Sequence, residues 1–113
     1  MTTITDEFMQ QTLSTTKDYS IVLLKPGPAA RTTPEIKKIV WEHARRNFAL
    51  RAEGVLSIVC PVTAETSLSG LYIFDAAVEE TRRIMEVDPA VQAGVFIFEV
   101  HPCKSFPGDS LRP

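Results

Sequence analysis

Asp88-Pro89-Ala90-Val91-Gln92-Ala93-Gly94-Val95-Phe96-Ile97-Phe98-Glu99-Val100-His101-Pro102 reads as a helix stop, one turn and a strand. Proline pushes the residue before it out of the helical region, so Asp88-Pro89 ends whatever helix precedes it. Gly94 closes the turn, and Val95 to Val100 is a wholly apolar, β-rich run broken only by Glu99. A second stretch upstream has the same grammar. His43-Ala44-Arg45-Arg46-Asn47-Phe48-Ala49-Leu50-Arg51-Ala52-Glu53-Gly54 is a helix stopped by glycine, followed by the strand Val55-Leu56-Ser57-Ile58-Val59-Cys60-Pro61.

The rest of the chain fits around these two units. Tyr19 to Leu24 is a continuous β-rich run that Pro26-Gly27-Pro28 interrupts. Thr33 can cap the next helix and Pro34 suits its first position, so this helix is expected from Pro34 to Glu53. Val55 to Cys60 is the second strand, and Leu71 to Phe74 the third. Asp75 can cap a second helix whose positions Ala77, Val78, Thr81, Ile84 and Met85 form one stripe. Glu79 is spaced to pair with Arg82 or Arg83 on its wet side. Phe8, Met9, Thr12 and Leu13 have helical spacing, so residues 1–18 form an N-terminal extension with a short amphipathic helix or a mobile arm. The core domain is read as 19–106 and the tail as 107–113.

A β-α-β-β-α-β order with right-handed crossovers predicts an α+β domain. It has a four-stranded antiparallel sheet with both helices on one face. Such a sheet should alternate apolar and polar residues. Ile21-Val22-Leu23-Leu24, Leu71-Tyr72-Ile73-Phe74 and Val95-Phe96-Ile97-Phe98 do not alternate. The helices bury one face, and leaving the other wet forgoes about 1.5–3 kcal/mol per large side chain. The simplest cover is a second copy, sheet against sheet, in a two-fold homodimer.

Composition bounds the function. A 113-residue chain with formal charge -2 and no basic stripe is not expected to bind nucleic acid. No apolar run reaches the roughly 18 residues of a membrane span, and Met1 to Glu7 lacks the features of a secretion signal, so a cytoplasmic protein without membrane contact is expected. Cys60 and Cys103 read as reduced thiols. His101 and Cys103 are poorly spaced as metal ligands, so no metal is expected. Pro26-Gly27-Pro28 lacks the lysine and glycine spacing of a phosphate loop. Arg45-Arg46 reads as a solvated helix face. Trp41 and Phe48, seven apart on the flank of the first helix, read as a packing surface for the N-terminal segment or a neighbouring subunit.

Two polar anomalies carry the chemistry. Ile36, Ile39, Val40 and Leu50 define the apolar stripe of the first helix, yet His43 and Asn47 project into its middle. A buried polar group without a partner costs about 1–3 kcal/mol, so both need partners or a wet pocket. The plain alternative is a core histidine satisfied by a backbone carbonyl. Asp88 is the second anomaly: an acid at a helix C-terminus opposes the dipole, although Asp before Pro is also a common turn starter. If the two side chains meet, the carboxylate orients the imidazole and fixes its tautomer, which makes a general acid/base.

Taken together, the two stretches resemble the YCII-related family, small proteins of the dimeric α/β-barrel, ferredoxin-like type. The resemblance covers roughly 19–106. It rests on the histidine eleven residues before the helix-ending glycine and on the Asp-Pro turn before the last strand. It implies a cleft in which His43 and Asp88 form the catalytic pair, with Asn47, Cys60 and Tyr72 as candidate substrate-binding residues. It also implies a cofactor-independent lyase, isomerase or dehalogenating reaction on a small cyclic or carbonyl compound. Two features depart from the family pattern: Cys60-Pro61 stands where Gly-Pro is common, and the loop Thr63 to Ser69 is short. The other reading is a non-catalytic module of the same dimeric fold that binds a small ligand or another protein. A barrel monooxygenase is a third possibility, on fold analogy alone.

Overall fold

The computed structural model describes residues 1–113. In chain order its elements are α1 (Asp6–Leu13), β1 (Lys17–Pro26), α2 (Ile36–Ala52), β2 (Leu56–Pro61), β3 (Gly70–Phe74), α3 (Val78–Glu86), α4 (Pro89–Gln92) and β4 (Phe96–Ser105). The four strands form one antiparallel sheet in the order β2-β3-β1-β4. Each helical crossover skips one strand, which is the ferredoxin-like, α+β arrangement.

Alternation along β1 separates the two faces. Ser20, Val22 and Leu24 are buried, while Ile21 and Leu23 between them are only half-buried. Register carries this across the sheet: Val22 lies opposite Tyr72 and Val100, and Leu24 opposite Gly70 and Phe98. Val22, Leu24, Leu56, Tyr72, Phe74 and Val100 form the core with Met85 of α3. Full burial of each large side chain there contributes about 1.5–3 kcal/mol. On the opposite face Ile21 pairs with Ile73 and Leu23 with Leu71, and Ile58 faces Ile73. No helix covers that face within the chain, and Ile97 on it is 50% exposed. The C-terminal residues Phe106 to Leu111 pass only its end beside Tyr19, Ile58 and Ile73.

Both glycine stops act as the sequence suggests. Gly54 and Gly94 take φ of 81° and 75°. In each case the following residue bonds back across the helix end, Val55 to the Leu50 carbonyl and Val95 to the Ala90 carbonyl. These are the bonds of a Schellman cap. The turn after α4 also locks onto the end of β1. Gly27 N–H donates to Val95 O at 2.8 Å and Ala29 N–H to Gly94 O at 2.9 Å.

Several local expectations are corrected. The long helix begins at Ile36 rather than Pro34, and Thr33 does not cap it. Thr33 instead donates its hydroxyl to Ala29 O at 2.6 Å within the preceding turn, and Glu35 enters the helix at φ 57° with no side-chain cap. Asp75 does not cap α3, which starts after Ala77; its carboxylate lies 3.0 Å from Lys17 Nζ, a partner brought by the fold. Arg83 pairs with Glu80 at 2.8 Å, not with Glu79. The last strand does not end at Val100 but runs through Pro102 to Ser105, paired with β1 down to Lys17. An edge strand tolerates proline because its outer side needs no N–H.

Gly27 and Gly54 make a matched test of these turns. A Cβ at Gly27 would sit 2.2 Å from Gly94 O, whereas one at Gly54 meets nothing and suffers only the left-handed φ. Gly54→Ala is expected to cost about 1–2 kcal/mol for its handedness. Gly27→Ala should cost more, because backbone must move. Equilibrium urea unfolding of the two variants measures the order, which a larger loss at Gly54 would reverse.

Candidate active site

α2 buries only two residues, and both are polar: His43 and Asn47. They lie four apart on the side facing β3, where Tyr72 also points because it shares the core face with Val22. Asp88 arrives from the bend between α3 and α4 and is fully buried. The bend explains the apparent dipole conflict. Asp88 does not close α3; it caps α4, accepting N–H bonds from Ala90 at 2.9 Å and Val91 at 3.2 Å. A carboxylate is favoured there, because Pro89 has no N–H and the Ala90 and Val91 amides at the start of α4 have no helical acceptor.

His43 links these elements. Its Nδ1 lies 2.9 Å from both Asp88 oxygens, and its Nε2 lies 2.9 Å from the Tyr72 hydroxyl. Burial pushes the Asp88 carboxyl up, but the His43 hydrogen bond and charge, with the Val91 and Ala90 amides, outweigh it and hold the group below its ordinary 3.8. Asp88 is therefore an anion that only accepts. The proton between it and the ring belongs to Nδ1; in the neutral ring Nε2 then presents its lone pair to Tyr72, whereas the attraction that lowers Asp88 is that of the protonated ring. Tyr72 is pushed up to about 12, chiefly by burial and further by the Asp88 charge, while a hydrogen bond from Asn47 opposes the rise. The phenol thus stays protonated and donates. Asn47 Nδ2 sits 3.3 Å from Nε2, beside the same hydroxyl.

The free side of this chain opens on a cavity of about 190 Å³. His43, Asn47, Ser69 and Tyr72 supply its polar lining, and Leu24, Val40, Phe48, Val59 and Phe96 are among its apolar walls. The Phe96 ring packs on the imidazole with centroids 5.0 Å apart. Asp88 does not reach the cavity; it acts on His43 from behind. Gly70 makes room for the phenol, since a Cβ there would lie 3.2 Å from the Tyr72 ring.

Cys60 is placed differently from the other four. It pairs with Leu71, while its neighbours Val59 and Pro61 flank it on the cavity side. The strand alternation therefore turns Cys60 to the open face of the sheet, and its expected place in the pocket is corrected. Arg46 departs from the solvated-face reading. Its side chain is 26% exposed, and Nη1 is buried without a hydrogen-bond partner, 3.7 Å from Asp88 Oδ1. Arg45 does face solvent, paired with Glu42 at 3.1 Å. A signal for Arg46 existed in its spacing, three residues after His43 on the same helix. No three His, Cys, Asp or Glu side chains converge as a metal site.

No family model matches the chain, and no curated protein matches it. Among solved structures it is similar to 5-chloro-2-hydroxyhydroquinone dehydrochlorinase from Burkholderia phenoliruptrix AC1100, solved in complex with 2,5-dihydroxybenzoquinone. The two share 18% identity with a TM-score of 0.49, over 74% of this chain and 90% of that chain.

The buried carboxylate makes stability acid-sensitive. Because the folded state holds Asp88 below its ordinary value, its contribution is complete above about pH 4 and is lost as pH falls through the lower folded value. Asp88→Asn should lower stability at pH 7 by about 1.5–3 kcal/mol, the range for a hydrogen bond to a charged group. It should also flatten the fall of melting temperature with acidification. Thermal melts of both chains from neutral to acid pH give the comparison; parallel curves would contradict the assignment.

Proposed function

We propose that this chain is a YCII-like acid/base enzyme that moves a proton on a small cyclic or carbonyl-bearing compound without a cofactor. The observation that carries the proposal is the continuous chain Asp88–His43–Tyr72, anchored in the core and ending at a mostly apolar cavity. The volume suits a single small ring, and apolar walls strengthen each polar contact made inside.

The roles follow from the hydrogen bonds. Tyr72 donates to His43 Nε2. A carbonyl oxygen entering the cavity competes for that phenol proton and for the Asn47 amide. Once Tyr72 turns its O–H to the substrate, Nε2 is free to take the proton on the adjacent carbon. The C–H electron pair passes into an enolate, whose oxygen the phenol and amide stabilise. Asp88 stabilises the imidazolium and keeps the ring in place. Returning the proton from His43 to another atom of the substrate completes an isomerisation. Expulsion of a leaving group, with its bonding pair, from the carbon next to the deprotonated one forms the double bond of an elimination, and His43 gives its proton to that group or to water.

A sheet-to-sheet homodimer belongs to the same proposal. Ile21, Leu23, Ile58, Leu71, Ile73 and Ile97 share the open face and supply the apolar area a partner would cover. The non-catalytic alternative is favoured by one observation, that both ring nitrogens of His43 are already satisfied inside the chain. No helix is long and apolar enough to cross a membrane.

Exchange of ring C–H for deuterium in cyclic ketones and 1,3-diketones, followed by NMR, tests the chemistry without knowing the substrate. The native chain should accelerate exchange, and His43→Gln should slow it by about 100- to 10,000-fold. Tyr72→Phe should lose about 100-fold or more, as for one oxyanion donor. Equal rates for native and His43→Gln would leave ligand binding as the better reading. Sedimentation tests the dimer separately: the native chain should run as a dimer and Ile73→Glu as a monomer.

A further inference from the structure

Two apolar helical surfaces of this chain have no partner within it. The first is α1, none of whose residues is buried. Ile4, Phe8, Met9 and Leu13 on and beside it are 53%, 53%, 46% and 56% exposed. The second is the outer flank of α2, where Trp41 and Phe48 are 66% and 55% exposed. Trp41 lines a groove of about 410 Å³ with Ile36, Val40 and Ala44, and Trp41, Ala44 and Phe48 line a second hollow of about 260 Å³ beside it. Val40, Ala44 and Phe48 also line the His43 cavity, so groove and cavity share a wall.

The two surfaces are complementary in charge. α1 carries Asp6 and Glu7 in its first turn and no basic residue. The groove is rimmed by Lys37 and by Arg45, the latter paired with Glu42, the helix's only acid, against four other basic residues on it. Phe8 and Met9 follow directly on the two acids, so one helix presents an apolar ridge beside a negative edge.

The fold keeps α1 from its own α2 flank. α1 joins β1 at Lys17, while Leu24, a wall of the cavity, lies seven residues further along the strand, about 23 Å away. The cavity under α2 is also walled by Val59 and Pro61 of the edge strand β2, two strands from β1, about 10 Å across. Four residue steps from Leu13 to Lys17 reach at most about 14 Å. The linker is also tied down. Ser14, Thr15 and Thr16 donate their hydroxyls to the carbonyls of Gln11, Thr12 and Leu13 at 2.6, 2.7 and 3.3 Å, which sets the direction in which α1 leaves the sheet. The molecule is accordingly 56 Å long against 30 and 24 Å in its other directions.

We propose that α1 of one copy docks in the α2 groove of a second copy, with Phe8 and Leu13 against Trp41 and Phe48, and so walls the His43 cavity from outside. The docking requires a second copy but neither the sheet-to-sheet contact nor turnover in the cavity.

Trp41 is the chain's single tryptophan and reports directly. Two full-length variants are used. One carries Phe8→Asp and Leu13→Asp with Trp41 intact; the other carries Trp41→Phe with α1 intact. Both changes fall on exposed side chains, and circular dichroism checks the fold. Native Trp41 emission should be blue-shifted at high concentration and move red on dilution. The α1 variant should emit red at every concentration and turn blue when mixed with excess Trp41→Phe chain, whose own emission is silent. A concentration-independent blue emission that mixing cannot restore would mean docking within one chain, and would overturn the proposal. So would red emission from the native chain throughout, or blue emission from the α1 variant alone. Sedimentation of the α1 variant separates the contacts: a dimer with exposed Trp41 has lost the docking and kept the sheet.

Discussion

The Asp88 carboxylate holds the helical layer together. It is fully buried, yet it accepts the Nδ1–H of His43 and two backbone amides of α4. These bonds tie α2 to the bend between α3 and α4, elements that are 45 residues apart at the contact. A buried anion without such partners would carry a desolvation cost of several kcal/mol, so the site folds with all its donors in place or not at all. The same carboxylate fixes the proton on one ring nitrogen and thereby aims the other at Tyr72.

This explains why α2 is built as it is. Its sheet-facing stripe is interrupted by His43 and Asn47, and no aliphatic side chain on it is fully buried. Ile39, Val40 and Leu50 are only half-buried; Val40 borders the cavity, and Leu50 packs at the edge of the core. The core is correspondingly concentrated elsewhere, between the central strands and Met85 of α3. Packing is thus given up under α2, and a cavity lined by His43, Asn47 and Tyr72 stands in its place. The flank of α2 that borders the cavity also carries its exposed aromatics, Trp41 and Phe48.

The two faces of the sheet differ in the same sense. One is finished by α2, α3 and α4, while the other presents isoleucines and leucines to whatever lies beyond the chain. β1 and β4 extend that surface by pairing over ten residues each, well past the helices. Cys60 belongs to it, which removes the thiol from the His43 cavity and places it with Leu71.

Local chemistry made much of this legible in the sequence. Glycine after a helix, the Asp-Pro bend and the runs of β-branched residues depend on backbone sterics that act within a few residues. They were enough for the order of the four strands and the two long helices between them, for the unusual positions of His43 and Asn47, and for the doubly apolar strands; α4 reads in the sequence only as a turn. What required tertiary structure were the partners. Thr33 and Asp75 are good caps in isolation, but the turn at Ala29 and Lys17 of β1 claim them. Arg46 looks solvated until Asp88 is folded against it, and strand alternation places Cys60 only once the register of β2 on β3 is known. Tyr72 shows the limit most clearly: its residue type offers a hydroxyl, but its place at the end of a charged hydrogen-bonded chain depends on three elements meeting, and contact between distant segments is what sequence spacing does not encode.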